Sequence, residues 1–419
     1  MTRTSSLRTV IGAGAAFAMI ASLAGCGGGA DAGKTQLTFF ANNTQDLYQP
    51  IIDAFEKANP DVKVKFSTTN GSQAGYQQTL QTRISGGQLA DVFVAPPEQL
   101  NDLVRNNCVK DLTGEAFMDR IGDTNKAQST VDGKVYSMSV TAWTNAYAYN
   151  KDLLAKAGYD AIPETWDEFI DMLKDLKDAG VDKPYLEPKA GLGALVEGWI
   201  GYDSSQQDTS VDQMIGDGDA TFADLYTPYY EEWARLFDEG VMGSEVTGLA
   251  DDQVRSEFAA GRLAVMPSGY WDVNTFNDAG INYAFGRMPM LHEGDTPFAP
   301  GSADSGYAIN AKIDGDELKA AEAFLDFLSS EEGLGLIQSS LGLIPATKNY
   351  TPEIDESFTE PYDLYLATGN VYLNTLGWPA SGRSALRAET FSQLQQVALG
   401  SISPQQAAAN LDTKLKTLS

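Results

Sequence analysis

The chain carries one histidine, His292, in the polar stretch Leu291-His292-Glu293-Gly294, and two cysteines, Cys26 and Cys108. A lone loop histidine is ordinarily a solvated side chain. No Gly-x-Ser-x-Gly, P-loop, His-Glu-x-x-His or paired-cysteine pattern gives it a nucleophile or a metal to work with. Acidic residues number 57, so close carboxylate pairs arise by chance and do not by themselves make a hydrolytic couple. The chemistry left is recognition, with no cofactor and no metal. Recognition needs flat apolar faces and polar groups that donate or accept in set directions. Among the six tryptophans, Trp166 and Trp233 stand at helical spacing among apolar residues and read as core. Trp143, Trp199, Trp271 and Trp378 stand beside polar residues or glycines, where an indole can face a ligand. The polar candidates beside strand-like runs are Asn42, Asn43, Asp91, Asn145, Asp272 and Asp304.

The elements that must hold these residues follow from periodicity. Gln36–Ala41 reads as a buried strand, and Asn42 and Asn43 sit at its end. Leu47, Ile51 and Phe55 recur every four residues before Asn59-Pro60, which predicts a helix. Val62, Val64 and Phe66 alternate as a strand, Tyr76, Leu80 and Ile84 return to the helical period, and Asp91–Ala95 is a third strand followed by a helix with Leu100, Leu103 and Val104. Such βαβαβα order implies parallel strands with helices on both faces, and ligands then bind beyond the carboxyl ends of the strands. Further on, Thr141–Asn150 is a polar, aromatic strand. Thr165 and Glu168 form a capping box ahead of Phe169, Leu173 and Leu176, and Trp233, Leu236 and Phe237 mark another helix. Gly261 caps a helix, Arg262–Met266 follows as a strand, and Pro267-Ser268-Gly269-Tyr270-Trp271 is the turn after it. Phe324, Leu325 and Leu328 mark a later helix, and the C-terminal stretch reads as helical.

At 419 residues the chain exceeds one ordinary core and allows two lobes. The 29 basic residues leave a net charge of −28, a surface that repels nucleic acid and anionic headgroups and favours neutral or cationic ligands. The N-terminus has the form of an export signal. Arg3 and Arg8 precede an apolar run, Val10–Leu23, too short to span a bilayer comfortably. It ends in Leu23-Ala24-Gly25-Cys26, which resembles the lipobox of bacterial lipoproteins, with Cys26 the lipidated residue. A glycine-rich tether follows to residue 34. Losing the signal removes two arginines and no acid, so the mature chain stands near −30. Cys108 is then the only thiol, read as a small buried side chain.

Several segments keep a common order along the chain: Ala54-Phe55-Glu56-Lys57-Ala58-Asn59-Pro60, Gly87-Gln88-Leu89-Ala90-Asp91-Val92-Phe93, Asp132-Gly133-Lys134-Val135-Tyr136-Ser137, Tyr147-Ala148-Tyr149-Asn150-Lys151, Pro163-Glu164-Thr165-Trp166-Asp167-Glu168-Phe169, Phe258-Ala259-Ala260-Gly261-Arg262 and Ala323-Phe324-Leu325-Asp326-Phe327-Leu328. With the lipobox, this order resembles the extracellular solute-binding proteins of ABC-type importers, the class that includes maltose- and oligosaccharide-binding proteins. The resemblance implies a two-lobed α/β fold of the periplasmic-binding-protein kind, with discontinuous lobes and a hinge. The lobes are placed at 35–147 with 305–345, and at 148–304 with 346–419. Crossovers are placed near Thr144–Asn150, Ser305–Asn310 and Leu343–Thr347. It also implies a carbohydrate ligand, most readily an oligosaccharide, held in the cleft by the tryptophans and polar residues named above. A monomer on the outer face of the membrane then hands the ligand to the permease subunits without altering it. Three other functions fit parts of the pattern. A non-sugar solute, such as a cationic peptide or polyamine, would suit the acidic surface. A glycoside-active enzyme would turn its substrate over, and an adhesin would lack a transporter.

Overall fold

The computed structural model describes residues 33–69, 73–379 and 382–418, the side chains of residues 73 and 74 aside. The export signal, Cys26 and most of the tether lie outside the described residues.

Apolar alternation builds the first sheet. β1 (Thr35–Ala41) buries Leu37, Phe39, Phe40 and Ala41, as a strand covered on both faces must. The helix Gln45–Ala58 follows, and its buried stripe is Tyr48, Ile51, Ile52 and Phe55. Leu47, expected on that stripe, points outward, because the helical face is centred one residue later. β2 (Val62–Thr68) pairs in parallel with β1 along its whole length. After the helix Gln73–Ser85, which buries Tyr76 and Leu80, comes β3 (Val92–Ala95), parallel to β1 on the other side. The helix Pro97–Arg105 then opens with proline in its first turn. β4 (Thr130–Val131) and β5 (Lys134–Val135) form a short hairpin.

β6 (Thr141–Asn150) is the strand that leaves this lobe. Its later half pairs antiparallel with β7 (Val265–Gly269) and β8 (Tyr283–Gly286). Its earlier half pairs with β9 (Ala299–Ala303). β10 (Gly306–Ile309) returns to the first lobe and adds antiparallel to β3, giving the order β10-β3-β1-β2. β11 (Ile344–Pro345) pairs with the start of β6, and β12 (Val371–Tyr372) with β9. The strand expected at Arg262–Met266 is shifted onward to β7, since its register is set by pairing Gly269 to Asn145 and Val265 to Tyr149.

Two separate hydrophobic cores result. One gathers Phe39, Phe55 and Phe93 with Tyr307, Phe324 and Leu328. The Phe39 ring lies edge-on to Tyr48 and Phe324, both centroids 5.1 Å away. The other gathers Trp166, Trp199, Trp233, Phe258 and Trp378. Its helix Trp166–Asp178 is capped by Thr165, whose hydroxyl accepts from the Glu168 amide at 3.4 Å while Glu168 accepts from the Thr165 amide at 3.3 Å. The chain passes from core to core within β6, between β9 and β10, and between Leu341 and Ile344. Ala146 and Tyr147 pack in the second core, as does Ile344. Cys108 is buried in the first.

Candidate functional site

Parallel strands end along one edge of their sheet, and the turns after β1 and β3 line a cavity between the lobes. Asn42 and Asn43 follow β1, and their carbonyls both accept from the Thr68 hydroxyl at the end of β2, at 3.0 and 2.6 Å. Both residues line the cavity, whose volume is about 270 Å³, together with Glu98 from the start of the helix after β3. Thr141 and Trp143 of β6 and Ser302–Ser305, from the end of β9 to the start of β10, line it where the chain crosses between lobes. Leu373 and Arg387 reach it from the second lobe. Asp304 is half-buried here, accepting from the Ser305 amide at 2.9 Å and the Thr141 hydroxyl at 3.3 Å. Burial pushes its carboxyl above the usual carboxylate range; those two hydrogen bonds pull it down and Glu98 adds a smaller upward push.

A second cavity of about 170 Å³ adjoins on the other lobe, lined by Asn145, Ser268, Trp271, Asp272, Arg255 and the Pro188–Ala194 segment, among others. Trp271 lies in the turn after β7, folded back over Gly269, where a Cβ would strike the indole, so only glycine admits the ring in this position. The indole is 42% exposed, an unusual state for the largest apolar side chain. Its ring meets Trp143 edge to face, centroids 6.3 Å apart at 63°, so two indoles stand where the two cavities meet. Asp272 anchors the turn. Its buried carboxylate accepts from the Ser268 hydroxyl at 2.6 Å and pairs with Arg255 Nε at 2.6 Å. Burial raises its pKa, with Ser268, Arg255 and Trp271 opposing.

The fold thus brings together Asn42, Asn43, Trp143 and Asp304 in one cavity and Asn145, Trp271 and Asp272 in its neighbour. Three expected site residues stand elsewhere. Asp91 precedes β3, so it lies at the amino end of the parallel sheet, the edge away from the cleft. Its carboxylate ties β3 to β1 by accepting from the Thr38 amide and hydroxyl, both at 2.8 Å. Trp199 is 4% exposed in the second core, edge-on to Trp166 at 5.1 Å, with its indole N–H donated to the Pro289 carbonyl at 2.9 Å. Trp378 is 2% exposed and donates its N–H to Asp212 at 2.6 Å. For both, an internal acceptor satisfies the one polar atom and lets the ring be buried whole. His292 is exposed.

A profile of the bacterial extracellular solute-binding protein family matches residues 41–334. The chain belongs to this family. The structure of a family 1 extracellular solute-binding protein from Bifidobacterium longum subsp. infantis is 33% identical, with a TM-score of 0.77 over 92% of this chain and all of that one. The galactooligosaccharide-binding protein of Bacillus subtilis is 26% identical over 85% of this chain and 82% of its own. The maltooligosaccharide ABC transporter solute-binding lipoprotein of Streptococcus pneumoniae is 25% identical over 76% of this chain and 74% of its own. As in other solute-binding proteins the fold has two lobes with a cleft between them, the arrangement expected from the sequence.

This solute-binding protein also places in its cleft residues that sequence reasoning missed: Glu98, Arg387 and the hydroxyl pair Tyr48–Tyr307, 3.3 Å apart. Only Glu98 left a signal, one turn beyond the carboxyl end of β3. Arg387 comes from a helix near the C-terminus, Arg383–Ala398, whose return to the cleft no local pattern announces.

Proposed function

We propose that this protein binds a neutral oligosaccharide in its interlobe cleft and delivers it unaltered to an ABC-type permease. One observation carries the reading: two indoles, Trp143 and Trp271, meet at an angle between two cavities whose linings include the amides of Asn42, Asn43 and Asn145, the hydroxyls of Thr141, Ser268 and Ser302, and the carboxylates of Glu98, Asp272 and Asp304. Pyranose rings offer flat C–H faces to indoles and hydroxyls to Asn42, Asn145 and Asp304. The two cavities adjoin at the paired indoles, so a ligand that spans both, hence more than one sugar unit, suits the geometry. The names of the Bacillus subtilis and Streptococcus pneumoniae relatives point the same way. The lobes close on the ligand by bending at the crossovers.

The acidic body is held at the outer face of the membrane by a lipid on Cys26, as a monomer. Cys26→Ser is expected to release the protein from washed membranes, and retention there would contradict the anchor.

A thermal-shift screen with maltotriose, raffinose, xylotriose and chitotriose tests the main reading. A ligand at a hundred times its Kd stabilises the native state by about 2.7 kcal/mol, enough to raise Tm by a few degrees. At least one of the four is expected to do so and to be recovered chemically intact. No shift with any sugar, or a shift with polyamines or basic peptides instead, would contradict it.

A further inference from the structure

Arg387 stands between the cleft and the inside of the second lobe. It lines the interlobe cavity and also a cavity of about 20 Å³ within the lobe, shared with Glu197, Tyr230 and Asn374. Its Nη2 lies 3.9 Å from Glu197 Oε1, and its guanidinium carbon lies 5.6 Å from the Phe391 ring centroid. Arg387 Nη1 and Glu197 Oε2 are both buried and make no hydrogen bond among the described residues. Glu197 is 9% exposed on the helix Leu195–Ser205. A buried carboxylate without a counter-charge is costly, and Arg387 is the cation in reach. Burial raises the Glu197 pKa and the Arg387 charge draws it back. Glu197 therefore serves to hold the guanidinium against the cleft wall.

A guanidinium carries five donors in a planar fork, and the Arg387 contact to Glu197 is long at 3.9 Å while Nη1 has no hydrogen-bond partner among the described residues. Glu98 and Asp304 line the same cavity and bring negative charge to it. A carboxylate or phosphate ligand would be repelled by that pair. The hydroxyls of a neutral sugar can donate to the carboxylates and accept from the fork at once.

We propose that Arg387 is a ligand-contacting residue that donates to adjacent hydroxyl oxygens of a neutral sugar unit, and that Glu197 is its positioning residue. This rests on the oligosaccharide reading and adds the residue pair that reads the hydroxyls.

Calorimetric titration of the folded protein with whichever of maltotriose, raffinose, xylotriose and chitotriose binds best, combined with ligand-free melting, tests the pair. Arg387→Lys keeps a charge opposite Glu197 but loses the fork, and affinity is expected to fall on the order of tenfold with little change in Tm. Arg387→Met is expected to weaken binding at least as much and to lower Tm, since it strands the buried carboxylate. Adding Glu197→Gln to Arg387→Met should restore the Tm and not the affinity, while Glu197→Gln alone weakens binding severalfold. That non-additivity is the signature of one residue acting through the other. Wild-type affinity in both Arg387 variants, equal affinity losses from Glu197→Gln in both backgrounds, or tighter binding of trigalacturonate than of the neutral sugar would each overturn the proposal. The first two results leave the oligosaccharide reading standing and the third overturns only the neutrality of its ligand; the reading itself falls if the wild-type protein binds none of the four sugars.

Discussion

Trp271 and Trp378 are the same residue in similar settings, each in a turn just after a glycine-containing stretch, and the fold uses them in opposite ways. Trp378 is 2% exposed, its ring edge-on to Phe222 with centroids 5.6 Å apart. Its N–H goes to Asp212, which also accepts from Tyr226 at 2.5 Å and Tyr372 at 2.6 Å. Trp271 is 42% exposed at the end of a strand, over a glycine, beside a second indole and two cavities. The difference teaches that a tryptophan in a loop is sorted by where its strand ends and whether an internal acceptor waits for its N–H. Residue type and local polarity do not sort it.

The largest expected effect would break the Trp378 side of this comparison. Trp378→Ala empties a core site and takes one of three donors from Asp212. It is expected to cost about 3–5 kcal/mol of stability in urea unfolding, with sugar affinity of the folded protein unchanged. A loss of affinity without a loss of stability would move Trp378 to the cleft.

Asp212 sharpens the same side through pH. Burial is the main cause that pushes its carboxyl up to about 7 from an ordinary 3.8, with Tyr226, Tyr372 and Trp378 opposing. The folded form thus holds its proton more tightly than the unfolded form. The stability this gives is complete below about pH 4 and is lost as pH rises through about 7, a span on the order of 4 kcal/mol. Asp212→Asn keeps an acceptor for Trp378 and can donate to the Tyr372 hydroxyl. Its stability is expected to fall less steeply between pH 4 and 7 than that of wild type, when followed by Tm. Parallel profiles for the two proteins would show that Asp212 is ionised throughout.

Much of this was legible beforehand where the cause is local. The first three strands and their helices declared themselves by periods of two and of three to four, and the Thr165–Glu168 cap formed as read. The place of Asn42 and Asn43 beside the cavity was legible because the carboxyl end of a strand is a property of the strand itself. Asp91 was misplaced because it precedes its strand, and the same rule rightly applied sends it to the far edge. Trp199 was misjudged because Gly198 obscured the helix Leu195–Ser205; that glycine is there because a Cβ would sit 2.5 Å from the Phe298 carbonyl oxygen. Arg387, Glu197 and the Trp143–Trp271 contact were out of reach for another reason. They depend on the chain crossing between lobes, and no spacing in the sequence encodes which distant segment returns to a shared wall.

Trp271→Ala carries the smallest energy of the three changes and bears most directly on the cleft as an oligosaccharide site. Calorimetric affinity and ligand-free Tm measured on the same variant form the decisive pair. Removing the indole from a sugar face is expected to cost on the order of 2 kcal/mol, or roughly thirtyfold in Kd, while Tm stays within a degree or two because the ring is not part of a core. A steep drop in Tm with sugar affinity intact in the folded fraction would contradict the account, since Trp271 would then be a structural residue like Trp378 and the cleft would have lost its platform.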